Sequence, residues 1–180
     1  MKRINKKGFT LIELLAVIII LGVLLLIAVP SVSKYIQQSR EKTYATNLSK
    51  LVDAVSSEVN SYTEPYTFST EEYLVVPIVC LNLERGSSEK SPFAAYEPLS
   101  SYVVVTRNAN NGFEYKVTAL DQTGFGAKLA EPDAVKIETG VTPVKIKADG
   151  TEFTLDGTLD GISGTPKVIT PGSTCAGKLK

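Results

Sequence analysis

The segment Lys6-Lys7-Gly8-Phe9-Thr10-Leu11-Ile12-Glu13-Leu14-Leu15 changes character at one point, between Gly8 and Phe9. On its amino-terminal side, Met1 to Gly8 holds Lys2, Arg3, Lys6 and Lys7 and no acid. On the other side, Phe9 to Val29 is apolar except for Thr10 and Glu13. That run matches the roughly 20 residues a helix needs to cross a bilayer. Cations before the run and none inside it orient the amino terminus toward the cytoplasm. Everything from Ser31 onward is then expected outside. Whole-chain charge is balanced, with 19 Lys+Arg against 19 Asp+Glu. Without the first eight residues the remainder is acidic by four charges, so bulk charge speaks against a nucleic-acid partner.

Two ordinary explanations of this amino terminus fall short. A secretory signal has an apolar core of about 7–15 residues followed by a small-x-small cleavage site. Here the apolar run is longer, and Val29-Pro30-Ser31 follows it. A plain signal anchor accounts for length and charge but not for Glu13. A carboxylate within hydrocarbon costs about 2.5–3.5 kcal/mol on insertion scales, so it has a role or a partner.

Basic leader, Gly8-Phe9, Thr10-Leu11, Glu13-Leu14 and the apolar run together resemble the class III signal of type IV pilins and pseudopilins. The resemblance covers residues 2–60. It implies that a membrane aspartic peptidase cuts after Gly8 and methylates the new amine of Phe9. It also implies that Glu13 pairs with the Phe9 amine of a neighbouring subunit. A paired buried carboxylate is tolerated where a lone one is not, so the contact would set register between otherwise featureless helices. Gly22 and Pro30 are weak points in that helix, and Pro30 stands where many pilins carry a bending proline. Pro30 lacks an N–H and is expected to bend or locally melt the helix.

One long helix is predicted from Phe9 to about Ser61. Its second half is amphipathic, with Tyr44, Leu48, Leu51, Val52, Val55, Val59 and Tyr62 at three- and four-residue steps. Ser39, Arg40, Lys42, Lys50, Asp53 and Glu58 fall off that stripe. Thr63-Glu64-Pro65 ends the helix. Tyr73 to Leu83 is apolar but contains Pro77, which suggests an edge strand, a turn or a short helix. Glu84 to Pro92 reads as an exposed loop. Ser101–Arg107 and Phe113–Leu120 read as a hairpin joined by turn residues Asn108 to Gly112. Further strands are expected at Val135–Glu138, at Val144–Lys147, at Thr151–Leu155 after an Asp149-Gly150 turn, and at Lys167–Thr170. The resulting class is α+β: a long helix, membrane-spanning in its first half, packed on an antiparallel sheet, the pilin "ladle". Its parts are a leader at 1–8, a membrane or filament-core helix at 9–30, an amphipathic half at 31–62 and a globular head at 63–180.

Two cysteines, Cys80 and Cys175, allow one intramolecular pairing. Outside the cytoplasm a disulfide is plausible, and two free thiols are the alternative. Many pilins carry a similar staple near the carboxyl terminus. Asp149, Asp156 and Asp160 each precede a glycine. Some pseudopilins bind calcium near that end, but Asp-Gly is also a common hairpin turn and the EF-hand spacing is absent, so no metal is assigned. Asn47-Leu48-Ser49 matches a glycosylation pattern but lies mid-helix, where coincidence is the better account.

The chain has no His. No Ser-His-Asp or Cys-His pair can form, and Walker, G-x-G-x-x-G and C-x-x-C signatures are absent. The expectation is a non-enzymatic structural subunit of a type IV pilus without cofactor, serving adhesion, motility or DNA uptake. Its partners would be copies of itself, other pilins, a prepilin peptidase and membrane assembly machinery. It would sit as a single-pass protein in the cytoplasmic membrane before assembly and in an extracellular pilus afterwards. The alternatives are a pseudopilin of a secretion or competence system, a minor tip pilin, or a single-span anchored adhesin-like domain. Glu13 separates polymer from anchor, because an anchor has no use for it.

Overall fold

The structure, a computed structural model, describes residues 8–61, 66–81, 83, 90–149, 152–169 and 173–180. Helix α1 spans Leu11–Asn60. The chain divides into two compact units, Met1–Ser39 and Arg40–Lys180. In the first unit the described side chains are exposed all round the helix. In the second, Tyr44, Leu48, Leu51, Val52, Val55 and Val59 are buried, as the three- and four-residue spacing requires. Tyr62, residues 84–89 of the loop expected at Glu84–Pro92 and the Thr63-Glu64-Pro65 stop lie outside the described residues, while Ser91 of that loop is buried rather than exposed.

The head is built on strands β1 (Glu72–Pro77), β2 (Tyr102–Arg107), β3 (Phe113–Leu120), β4 (Phe125–Ala130) and β5 (Glu138–Thr139). They are followed by β6 (Ile146–Asp149), β7 (Glu152–Leu155), β8 (Thr165–Val168) and helix α2 (Ser173–Lys178). Six strands form one sheet in the order β5-β4-β3-β2-β1-β8, and β6 and β7 form a separate hairpin. All neighbours in the main sheet are antiparallel except β1 and β8, which run parallel.

The sheet is covered on both faces at its centre. Leu74, Val76, Val103 and Val105 join the α1 stripe in one core, whereas Tyr73, Val75, Tyr102 and Val104 pack with Ile146, Phe153, Leu155 and Leu179 in a second. Two buried faces explain why Tyr73–Val76 and Tyr102–Val105 are unbroken apolar runs rather than alternating ones.

Three expectations are corrected, and one strand was not anticipated. β1 is an interior strand, not an edge. It tolerates Pro77 because β8 pairs only with Glu72–Val75, so the proline lies beyond that register and the chain turns at once into a 3₁₀ turn, Ile78–Cys80. The strand expected at Val135–Glu138 shrinks to Glu138–Thr139, while Val135 and Ile137 serve as partly buried packing residues. The strand expected at Lys167–Thr170 is displaced to Thr165–Val168, and the remaining tail includes α2. β4 had no sequence signal, because Phe125-Gly-Ala-Lys-Leu-Ala is poor in β-branched residues. Its place is fixed by tertiary geometry. A Cβ on Gly126 would stand 2.7 Å from the Ala119 carbonyl, so glycine is what lets β3 and β4 approach.

Candidate functional site: the amino-terminal arm

The local structure of the signal begins at Thr10, which precedes the first residue of α1. Thr10 Oγ1 donates to Glu13 Oε2 at 2.7 Å, and the Thr10 backbone N–H donates to the same oxygen at 2.8 Å. The Glu13 N–H donates back to Thr10 Oγ1 at 3.3 Å, and Leu14 N–H reaches the Thr10 carbonyl at 3.2 Å. This is a capping box: Thr-x-x-Glu satisfies two amide donors that a helix start otherwise leaves open. The Thr10–Glu13 spacing carries that signal in the sequence, and the reading of Glu13 as a charge partner alone overlooked it. A carboxylate offers about four acceptor positions, so two bonds to Thr10 leave capacity for a cation.

Phe9 is 90% exposed, one residue before Thr10. A Cβ on Gly8 would meet nothing within 4 Å. Nothing in the chain's own described packing therefore asks for glycine there. From Leu11 the helix is long and apolar enough to cross a membrane. Of the bend or local melting expected at Pro30, melting does not occur: helical structure continues through it. Two serines add donors around the proline: Ser31 Oγ bonds the Ile27 carbonyl at 3.3 Å and Ser33 Oγ the Val29 carbonyl at 3.0 Å. Gly22 lies with Leu25, Leu26, Val29 and Pro30 around a shallow apolar notch. A Cβ on Gly22 would meet nothing within 4 Å.

The remaining candidate residues lie in the head. Cys80, in the 3₁₀ turn after β1, and Cys175, in α2, are joined as a disulfide with Cα atoms 4.9 Å apart. Lys178 Nζ donates to the Val79 carbonyl at 3.1 Å, so two links hold the tail to the same turn, and Leu179 is buried in the second core. Asp149 ends β6 opposite Glu152, the Asp156 N–H bonds the Lys145 carbonyl, and Asp160 faces Lys128 Nζ at 3.4 Å. Among the described residues, no three acidic, Cys or His side chains gather in a way that could hold a metal ion. Asn47 is half-buried on α1 and donates to the Lys90 carbonyl at 3.4 Å. Burial pushes the Tyr102 phenol up to about 12, and its hydroxyl donates to the Val144 carbonyl, tying the sheet to the segment before β6.

A family model for the prokaryotic N-terminal methylation motif matches residues 3–29. The ComG operon protein 3 homolog of Bacillus licheniformis is 38% identical over 58 residues, which is 32% of this chain and 56% of that protein. Competence protein ComGC of Bacillus subtilis is 36% identical over 86 residues, which is 45% of this chain and 87% of that protein. The chain thus spans little more than half the length of the first relative and most of the second. No solved structure matches.

Proposed function

Because the chain belongs to the type IV pilin superfamily, we propose that it is the structural, non-enzymatic subunit of a type IV pilus-like filament, polymerising through α1. One observation carries this reading. Every large hydrophobic side chain that is exposed among the described residues lies between Phe9 and Ile36, whereas the head exposes none. A helix apolar on all sides must be covered by lipid or by other proteins. With the signal, it marks a single-pass membrane-anchored chain. Other copies of the same helix offer the matching cover once the protein leaves the bilayer.

In this reading a prepilin peptidase removes Met1–Gly8, and the membrane assembly machinery adds the subunit to the filament base. The new Phe9 amine then lies four positions from Glu13 and adjacent to the capping box. Held by Thr10, the Glu13 carboxylate is oriented before a neighbour arrives. An incoming Phe9 amine adds charge to a group whose neutral donors are already placed, and buried charge pairs need such additional bonds. Filament proteins of this kind assemble with other pilins. The extracellular filament is the working location, and the membrane is the waiting one.

The relatives favour a second reading at the same level: a pseudopilin of a competence system, since one is named a competence protein, ComGC, and the other a ComG operon protein. One experiment tests the class and separates these two uses. Sheared surface material is probed for this protein, its amino terminus is read by mass spectrometry, and DNA uptake is measured in the deletion strain. Sheared protein beginning at a methylated Phe9 supports the filament reading. Loss of DNA uptake alongside it selects the competence use. Protein that stays in the membrane and begins at Met1 overturns the proposal.

A further inference from the structure

The head contains a buried polar cluster that neither the filament reading nor the signal uses. Tyr44 on α1 and Tyr96 are 0% and 3% exposed, with rings 5.7 Å apart edge to face. Asp121 is 2% exposed and stands opposite Tyr96 in an isolated antiparallel bridge. Residues directly opposite in such a bridge project to the same side, about 4.5–5.5 Å apart at Cβ. Asp121 Oδ1 is fully used: it accepts the Thr123 N–H at 2.9 Å, Thr123 Oγ1 at 2.7 Å and the Phe125 N–H at 3.1 Å. Oδ2 accepts only the Ser91 hydroxyl, at 2.7 Å, among the described residues. Meanwhile the Tyr44 and Tyr96 hydroxyls are both buried and without a hydrogen-bond partner there.

Donors and acceptors in this cluster do not balance. Burial, with the Asp121 charge adding to it, pushes both phenols up, so each keeps its proton and is a donor. Oδ2 is an acceptor with capacity left. The phenols cannot pass a bond to each other without leaving one of them unmet. A buried hydroxyl left unmet is costly, and such groups are met by ordered water where the site is polar.

We propose that Tyr44, Tyr96 and Asp121 form a binding site for one internal water, which accepts from both phenols and donates to Asp121 Oδ2. That gives the water three hydrogen bonds, the usual number for a buried one. It would join α1, through Tyr44, to the sheet side of the head, through Tyr96 and Asp121. The two rings are held by aromatic packing rather than by polar contacts: Tyr44 also lies 6.1 Å from Phe93, which stacks on Phe125 at 3.9 Å.

The test is a thermal-unfolding cycle on the full chain in detergent, with Tyr44→Phe, Tyr96→Phe and the double variant. Removing either hydroxyl from a shared water should lower the midpoint by about 2–4 °C. The double variant should fall by little more than one single variant, because both remove the same bridge. A crystal structure of the wild type should show density for a water within hydrogen-bonding distance of all three oxygens. A midpoint that rises on Tyr→Phe would mean an unmet hydroxyl had been removed, and the site would be dry. Fully additive losses would mean separate partners for the two phenols. A midpoint that climbs with added Na⁺, K⁺ or Ca²⁺, and loses that response in Asp121→Asn, would replace the water by a cation. Each of these three outcomes overturns the proposal.

Discussion

Residues 9–36 and residues 40–180 solve the burial problem in opposite ways. The first region exposes all its large apolar side chains, from Phe9 to Ile36. The second hides its own in two cores, one on each face of the sheet. Its helical share, Tyr44 to Val59, sends only one stripe inward. One helix, α1, therefore carries both patterns, and the change falls near Ser39 and Arg40. A chain's own packing can be complete in one half and wait for outside cover in the other. Substitutions in the first half should thus change processing and assembly while sparing folding. Those in the second should do the reverse.

The sharpest break of that contrast is at Gly8. A Cβ there meets nothing within 4 Å among the described residues, so Gly8→Val should leave folding intact. It should abolish leader removal, giving only full-length precursor on mass spectrometry of membranes. Normal cleavage of Gly8→Val would show that the peptidase does not need close backbone approach at this position.

Glu13→Val comes next. It should insert and be cleaved as wild type, because it removes an acid from an apolar helix. Sheared filaments should fall to few or none. Abundant filaments would remove the register role of Glu13 and leave it a helix cap. Thr10→Val isolates the cap, and its effect on filaments should be smaller.

Within the head, Leu51→Ala should cost about 2–5 kcal/mol, since Leu51 is wholly buried. Cys175→Ser should cost a similar or smaller amount, about 2–5 kcal/mol, by opening a link between residues 95 apart in sequence. Calorimetry of the full chain in detergent measures both, and precursor cleavage should not change in either. Reactive thiols on unreduced, folded protein would contradict the link.

The smallest expected effect is at high pH. Burial raises the Tyr102 phenol to about 12 from an ordinary value near 10. The unfolded chain therefore loses this proton first. Stability is full below about pH 10 and declines as pH rises toward about 12. A tyrosinate absorbance titration should show at least one phenol ionising only in that upper range. A head whose phenols all titrate near 10 would not have the packed second core.

Legibility followed the range of the interactions involved. The α1 stripe, β2 and β3 were readable because helix periodicity and an apolar strand pair joined by an Asn-Gly turn are local signals. β4 was not, since Phe125-Gly-Ala-Lys-Leu-Ala becomes a strand only by lying against β3. β8 was displaced because Thr165-Pro166 looks unlike a strand, yet β1 offers both residues a parallel partner. In the arm, Glu13 was conspicuous as a charge in an apolar run. Its bonds to Thr10 needed a capping motif that the charge argument passed over.

Sequence alone determined the basic leader motif, the apolar run, the single stripe of α1 and the α+β class. Each rests on composition or on a period that repeats within a few residues. Tertiary structure decided that β1 is interior, that β8 runs parallel to it, and that Cys80 and Cys175 meet. It also decided that Tyr44 of α1 meets Tyr96, which lies opposite Asp121. Those outcomes depend on which distant segments share a face, and the energy that selects them comes from burial and hydrogen bonding among residues far apart in the chain.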